Sequence, residues 1–274
     1  MLLATVNLLD DLAKQAENGA NIKVGIVMFK GNAVPFKTFD SEKSIADIRD
    51  ELNSLVVEND PKGDLTKDAV KKYIAKSCPT IMNSGTNIPA GLQLAKNMLA
   101  ADTSVADSRK YMVFVSDGNT YLFCHENEDG TGYDYTKAWS RTGPALDKKG
   151  GISEADKNWD KASDAMNKYN AALKSGAASD WGEYLGAVER ENVRFTKYDY
   201  EVAVAGVVPT GAPVIPESET NRVVNTDVSR YQTAKLYQEL QEKYNCYYCA
   251  LNEQGYGVAE KMLIALSPAD RVVD

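Results

Sequence analysis

Two short segments of this chain hold the side chains best suited to chemistry. The first reads Ser84-Gly85-Thr86-Asn87-Ile88-Pro89-Ala90-Gly91-Leu92. The second reads Tyr111-Met112-Val113-Phe114-Val115-Ser116-Asp117-Gly118, followed by Asn119. Thr86 offers a hydroxyl just ahead of an apolar helix, and Asp117 offers a carboxylate just after an apolar strand. Taken singly, each is ordinary, since Gly-Thr-Asn starts many helices and Ser-Asp-Gly fills many turns. Other groups carry less. His125 is the single histidine, so most triad and histidine-rich metal mechanisms are excluded. Its neighbour Cys124 does not make it a nucleophile–base pair, because adjacent residues seldom aim at each other, and a solvated loop histidine is expected. Cys246-Tyr247-Tyr248-Cys249 is a C-x-x-C, but zinc needs two further ligands. On a strand, positions three apart face opposite ways, so buried free thiols are expected there. A bridge between Cys78 and Cys124 stays open, since only the distance between them decides it.

The elements that position Thr86 and Asp117 follow from periodicity. Leu2, Leu3, Val6, Leu8, Leu9, Leu12 and Ala13 recur at helical spacing, closed by Asn18-Gly19. Ile22–Phe29 is a β-branched apolar run and reads as a buried strand, with Val34–Phe39 as its edge partner after Gly31-Asn32. Ser41–Val56 reads as an amphipathic helix capped by Asp40 or Ser41, with Ile45, Ile48, Leu52 and Leu55 on one face. Asp60–Asp64 is a loop. Ile88–Ala101 is a helix capped by Thr86 or Asn87, with Pro89 in its first turn. Lys110–Val115 is a second buried strand. After Tyr121 the chain turns polar, with a helical pattern over Ser153–Ser175, a turn of helix at Trp181–Val188, a strand at Tyr200–Val208 and a Pro-rich connector at Pro209–Thr226. Ser229–Tyr244, Asn245–Leu251 and Gly257–Leu266 then read as helix, strand and helix. Strands alternating with helices predict an α/β fold with a doubly wound, mostly parallel sheet. Ligands bind such sheets at the carboxyl ends of their strands, where Thr86 and Asp117 both fall. The expected division is an α/β core of residues 1–122 and 227–274 with an insertion of residues 123–226. Tyr133, Tyr135, Trp139, Trp159 and Trp181 are expected to form a small core there, or a recognition surface overhanging the strand end.

The Gly-Thr-Asn loop and the strand ending in Ser-Asp-Gly, in this order and context, resemble the von Willebrand factor type A family. That resemblance implies a metal-ion-dependent adhesion site in which Thr86 supplies a hydroxyl ligand and Asp117 coordinates directly or through water. Ser84, Gly85, Asn87, Ser116, Gly118 and Asn119 would line it. Mg²⁺, Mn²⁺ or Ca²⁺ fits such hard-oxygen donors, and an ion with few carboxylates stays electrophilic enough to take one from a protein or matrix ligand. The family also carries Asp-x-Ser-x-Ser at the end of a first, central strand. This sequence does not contain it: Asp10-Asp11 lies mid-helix and Asp40-Ser41-Glu42 lacks the final serine. Two ligands stand where the family has five, so weak or absent metal binding by this chain is expected. A gap in the sheet would expose unpaired backbone. Tyr200–Val208 is suited to fill it, or to form a hairpin within the insertion.

Composition narrows the alternatives. The 274 residues are 43% hydrophobic with a formal net charge of −8. That supports a folded core and disfavours non-specific nucleic-acid or anionic-membrane binding. No segment reaches the roughly 18 apolar residues of a bilayer span, and Met1–Leu12 does not read as a signal peptide. The resemblance implies an extracellular or bacterial cell-surface adhesion module, not an enzyme. A metal-free interaction domain is the alternative. A hydrolase with Asp117 as nucleophile is a third, disfavoured because Asn119 stands where a second carboxylate is needed.

Overall fold

The computed structural model describes residues 2–40, 42–59, 67–82, 85–116, 119–141, 164–192, 196–202, 212–213, 223–250 and 257–273. The protein is a mixed α/β chain with a parallel sheet. It divides into two compact units, residues 1–28 with 34–81, and residues 29–33 with 82–274.

The first unit is built on α1 (Leu2–Glu17), the paired strands β1 (Ile26–Phe29) and β2 (Ala33–Lys37), α2 (Ile45–Asn59) and α3 (Lys67–Ser77). Val6, Leu9 and Ala13 of α1 meet Ile45, Ile48 and Leu52 of α2 in one apolar cluster with Val34 and Phe36. This is the face that the 3.6-residue spacing demands. α2 starts later than expected. Its cap is Ser44, whose hydroxyl accepts from the Asp47 amide at 3.1 Å while Asp47 Oδ2 accepts the Ser44 amide at 3.0 Å. That reciprocal pair satisfies two otherwise orphaned donors, so the cap is Ser44 and not Asp40. β1 is shorter than Ile22–Phe29 and only half-buried. α3 was not expected from the sequence pattern; its Tyr73 and Ile74 pack against the cluster. Loop 60–64 lies outside the described residues, as does Ser41.

The second unit holds α4 (Ile88–Ala101), β3 (Tyr111–Ser116), β4 (Trp139–Arg141), α5 (Asp164–Ser175), α6 (Ala178–Asn192), β5 (Asp199–Glu201), α7 (Asn225–Lys243), β6 (Asn245–Ala250), α8 (Val258–Leu266) and β7 (Val272–Val273). β3, β6 and β7 form a parallel sheet in that order, with Tyr111 opposite Asn245 and Ser116 opposite Ala250. β3 is not buried on both faces. Met112, Phe114 and Ser116 point inward, while Tyr111 and Val113 are 62% and 46% exposed. Its burial alternates along the strand, the pattern of a strand with one face on the core and the other exposed. Phe114 anchors the inner face, with ring contacts to Phe29, Tyr237 and Tyr248.

α6 is a full 15-residue helix rather than a single turn. Trp181, Tyr184, Ala187 and Val188 lie on one face and are completely buried, each large side chain contributing about 1.5–3 kcal/mol. They join Ala165 and Ala172 of α5, Val228 and Ala234 of α7 and Met262 of α8 in one cluster. Two of the aromatics after Tyr121 therefore belong to a shared cluster and not to a core of their own. Trp181 and the partly buried Trp139 pack into this shared cluster, and Trp159 lies outside the described residues. α7 begins at Asn225, four residues before the expected start. Asp227 sets that start by accepting the Val224 amide at 3.1 Å and the Tyr184 hydroxyl at 2.6 Å. Tyr200, in β5, pairs antiparallel with β4 opposite Ser140. The described start of the Tyr200–Val208 run thus belongs to a β4–β5 pair, and residues 203–208 lie outside the described residues.

Candidate functional site

The Thr86 loop is held by three local devices. Gly85 takes φ +99°, a left-handed conformation that only glycine adopts without strain. A Cβ there would overlap the Leu122 side chain and come within 3.3 Å of Gly31 Cα. Asn87 is the N-cap of α4, its Oδ1 accepting the Ala90 amide at 3.1 Å. Its Nδ2 donates to the carbonyls of Gly31 and Phe123 at 2.9 and 3.3 Å, and its own amide donates to Lys30 at 2.6 Å. Thr86 is half-buried. Its carbonyl accepts the amides of Tyr121 and Leu122 at 3.2 and 3.1 Å.

Those bonds lay the Thr86 loop against the segment that leaves β3. A hydroxyl relay completes the junction. The Ile88 amide donates to Thr120 Oγ1 at 3.3 Å, and Ser229 Oγ donates to the Leu122 carbonyl at 2.5 Å. The 2.6 Å bond between the two hydroxyls therefore runs from Thr120 to Ser229, since Ser229 has spent its only proton. Ser116 is buried at the end of β3, and Asn119 is exposed. Ser84, Asp117 and Gly118 lie outside the described residues. The structure thus brings Gly85, Thr86 and Asn87 to residues 120–124. Replacing Gly85 by alanine is expected to cost about 2 kcal/mol or more, from positive-φ strain and the Leu122 overlap, read as a lowered urea midpoint with unchanged m.

Cys124 is buried beside this junction, its Sγ 3.6 Å from Asn87 Oδ1. Burial pushes its thiol far above the ordinary range. Cys246, buried on the inner face of β6, is pushed up to about 12 by the same cause. All four cysteines are free thiols, and the open possibility of a Cys78–Cys124 bridge is not realised. Only Cys249 is not fully buried. In the native protein at pH 8, an aromatic disulfide reagent is expected to label Cys249 alone, and all four after denaturation, because the thiolate is the attacking species.

His125 is not a solvated loop residue. Its ring lies 3.7 Å from that of Trp139, centroid to centroid, and 6.3 Å from Phe123. Its Nε2 faces Asp199 Oδ2 at 3.4 Å. Asp199 Oδ1 accepts from Arg141 Nε at 2.6 Å, with the two side chains 3% and 1% exposed. The Phe123–Trp139 bridge and the β4–β5 register bring these residues together. Local pattern gives no sign of this cluster, because Arg141 and Asp199 are 58 positions apart.

No family model matches the chain, and no curated protein does. A solved structure is similar to it. It is the vWF domain of the type V pili tip protein Mfa5 from Porphyromonas gingivalis, at 11% sequence identity and a TM-score of 0.46. The alignment covers 99% of this chain and 80% of that one. No described helix is long and apolar enough to cross a membrane. Among the described residues no group of three or more histidine, cysteine, aspartate or glutamate side chains could hold a metal ion. Thr86 would contribute a hydroxyl to such a site, and Asp117 lies outside the described residues.

Proposed function

We propose that this chain is a von Willebrand type A binding module, not an enzyme, which engages a protein or matrix ligand through a divalent cation. Residues 1–122 and 227–274 form the doubly wound core of this reading, and residues 123–226 are its insertion. Thr86 and Asp117 are the two cation ligands, Mg²⁺ or Mn²⁺ the ion, and the cell surface the site of action. One observation carries the reading. Thr86 is bonded through its carbonyl to the amides of Tyr121 and Leu122, four and five positions after Asp117 in the chain. That contact supports a shared site for the helix-opening hydroxyl and the strand-end carboxylate. A hydroxyl and a carboxylate suit a hard cation. Two protein ligands leave most of the coordination to water, so affinity is weak.

Calorimetric titration of the chain with Mn²⁺ tests this. Binding with a Kd of roughly 0.1–1 mM is expected, abolished by Asp117→Ala and weakened about tenfold by Thr86→Ala. Absence of heat with the unaltered chain overturns the cation reading for this chain and leaves the second one, a metal-free interaction domain. The hydrogen bonding of Asn87 favours that second reading. Its amide group is wholly engaged by protein atoms, which makes the loop a structural joint in its own right.

A further inference from the structure

One face of α7 carries a stripe of buried polar side chains. Asn225, Ser229 and Gln232 follow one another at the four- and three-residue steps that share a helix face. Buried polar groups need partners, and these three find them in the main chain of distant segments. Asn225 Oδ1 accepts the Arg141 amide at 2.6 Å. Ser229 holds the Leu122 carbonyl and meets the Thr120 hydroxyl. Gln232 takes both main-chain groups of Cys124: its Oε1 accepts the amide at 2.9 Å and its Nε2 donates to the carbonyl at 2.7 Å. Phe123 gives its own amide and carbonyl to Trp139. Those of Cys124 therefore face the other way, and Gln232 answers them as a neighbouring strand would.

From there the connection to Thr86 is one residue long. Leu122, whose carbonyl Ser229 holds, donates its amide to the Thr86 carbonyl. We propose that Ser229 and Gln232 are positioning residues for the Thr86 hydroxyl, acting from more than a hundred positions along the chain. α7 fixes the main chain of residues 122–124, and that segment fixes the Thr86 loop. Divalent ions of the Mg²⁺ and Mn²⁺ kind favour octahedral oxygen sites, so a hydroxyl that drifts is replaced by water and affinity falls. That last step rests on the cation reading; the positioning of the loop does not.

The test uses the full chain, ¹⁵N-labelled, with Ser229→Ala and Gln232→Met. Thr233→Ala is the control, because its buried hydroxyl bonds only to the Ser229 carbonyl within α7. If either test variant fails to fold, Thr120→Val breaks the same relay from the other side with a side chain of equal shape. In EDTA, amide hydrogen exchange is followed at Tyr121 and Leu122 and compared with β6. The test variants are expected to speed exchange at those two amides about tenfold beyond any change in β6, and the control to change both regions alike. Exchange at Tyr121 and Leu122 that merely tracks β6 in the test variants overturns the positioning. Titration of the same proteins with Mn²⁺ is expected to show about fivefold weaker binding in the test variants and unaltered binding in the control. Equal affinity throughout, with exchange accelerated, overturns the link to the cation. Absence of binding by the unaltered chain overturns the cation reading instead, and the exchange result then decides the positioning by itself.

Discussion

Replacing Asn87 by alanine is expected to lower the unfolding free energy by about 2–3 kcal/mol, read from urea denaturation with an unchanged m-value. The residue is completely buried. Losing an N-cap side chain alone costs about 1 kcal/mol. Here the loss also strips the Gly31 carbonyl of a donor, and an orphaned buried group adds about 1 kcal/mol or more, whereas the Phe123 carbonyl keeps the Trp139 amide at 3.0 Å. Asn87→Asp separates the two contributions. Aspartate keeps an oxygen for the Ala90 amide but offers no donor, and its charge would face two carbonyl oxygens in a dry site. It is therefore expected to be no more stable than the alanine variant, although aspartate is as good an N-cap as asparagine on an exposed helix. If aspartate instead recovers most of the stability, Asn87 acts as a cap only and the cross-links from its amide nitrogen carry little.

The junction around Asn87 was partly legible because its grammar is local. Gly-Thr-Asn-Ile-Pro spells a left-handed glycine, a cap and a first-turn proline within five residues, and α4 begins where those residues place it. β6 and α8 were legible for the same reason, being short runs closed by clear punctuation. What the pattern could not give was long-range. The amides of Tyr121 and Leu122 bond to Thr86 because of how the chain leaves β3, and no spacing encodes that. The exposed face of β3 is not legible because an apolar run looks alike on a strand covered on one face and on a strand covered on both. The reading of α6 as a turn at Trp181–Val188 falls short because Ala178–Asp180 and Glu189–Asn192 extend it with small and polar residues that carry little apolar pattern. Glu183, Gly186 and Glu189 are polar or small positions along it. In space those positions fall on its outer side, away from Trp181, Tyr184 and Val188. His125 was misplaced because its partners come from β4 and β5, whose pairing depends on contacts distant in sequence.

That misplaced histidine sits in the second region where a single change should be costly. Asp199→Asn is expected to destabilise the protein by about 3–5 kcal/mol, because it leaves the Arg141 guanidinium buried without its counter-charge. Arg141→Met is expected to be comparably damaging, since it strands the carboxylate instead. The pair itself is worth far less than either loss suggests. Its Coulomb attraction largely offsets the desolvation of two charges, so the double variant Arg141→Met/Asp199→Leu should recover most of the stability and land within about 1–2 kcal/mol of the original. Two features of this site bear on the outcome. Arg141 also lies over the Phe123 ring at 5.7 Å, a contact that methionine keeps in part through its sulfur. His125 meets Asp199 only at 3.4 Å and gains its position mainly from close ring contact with Trp139 and stacking on Phe123, so it does not depend on the carboxylate. Near-ultraviolet circular dichroism, taken as the difference against the same variant carrying Trp139→Phe, isolates the Trp139 signal from the other two tryptophans. In the double variant that signal should remain while stability returns. A double variant as unstable as the single ones would mean that the ion pair specifies the β4–β5 register, Arg141 opposite Asp199, and not merely that each charge needs the other.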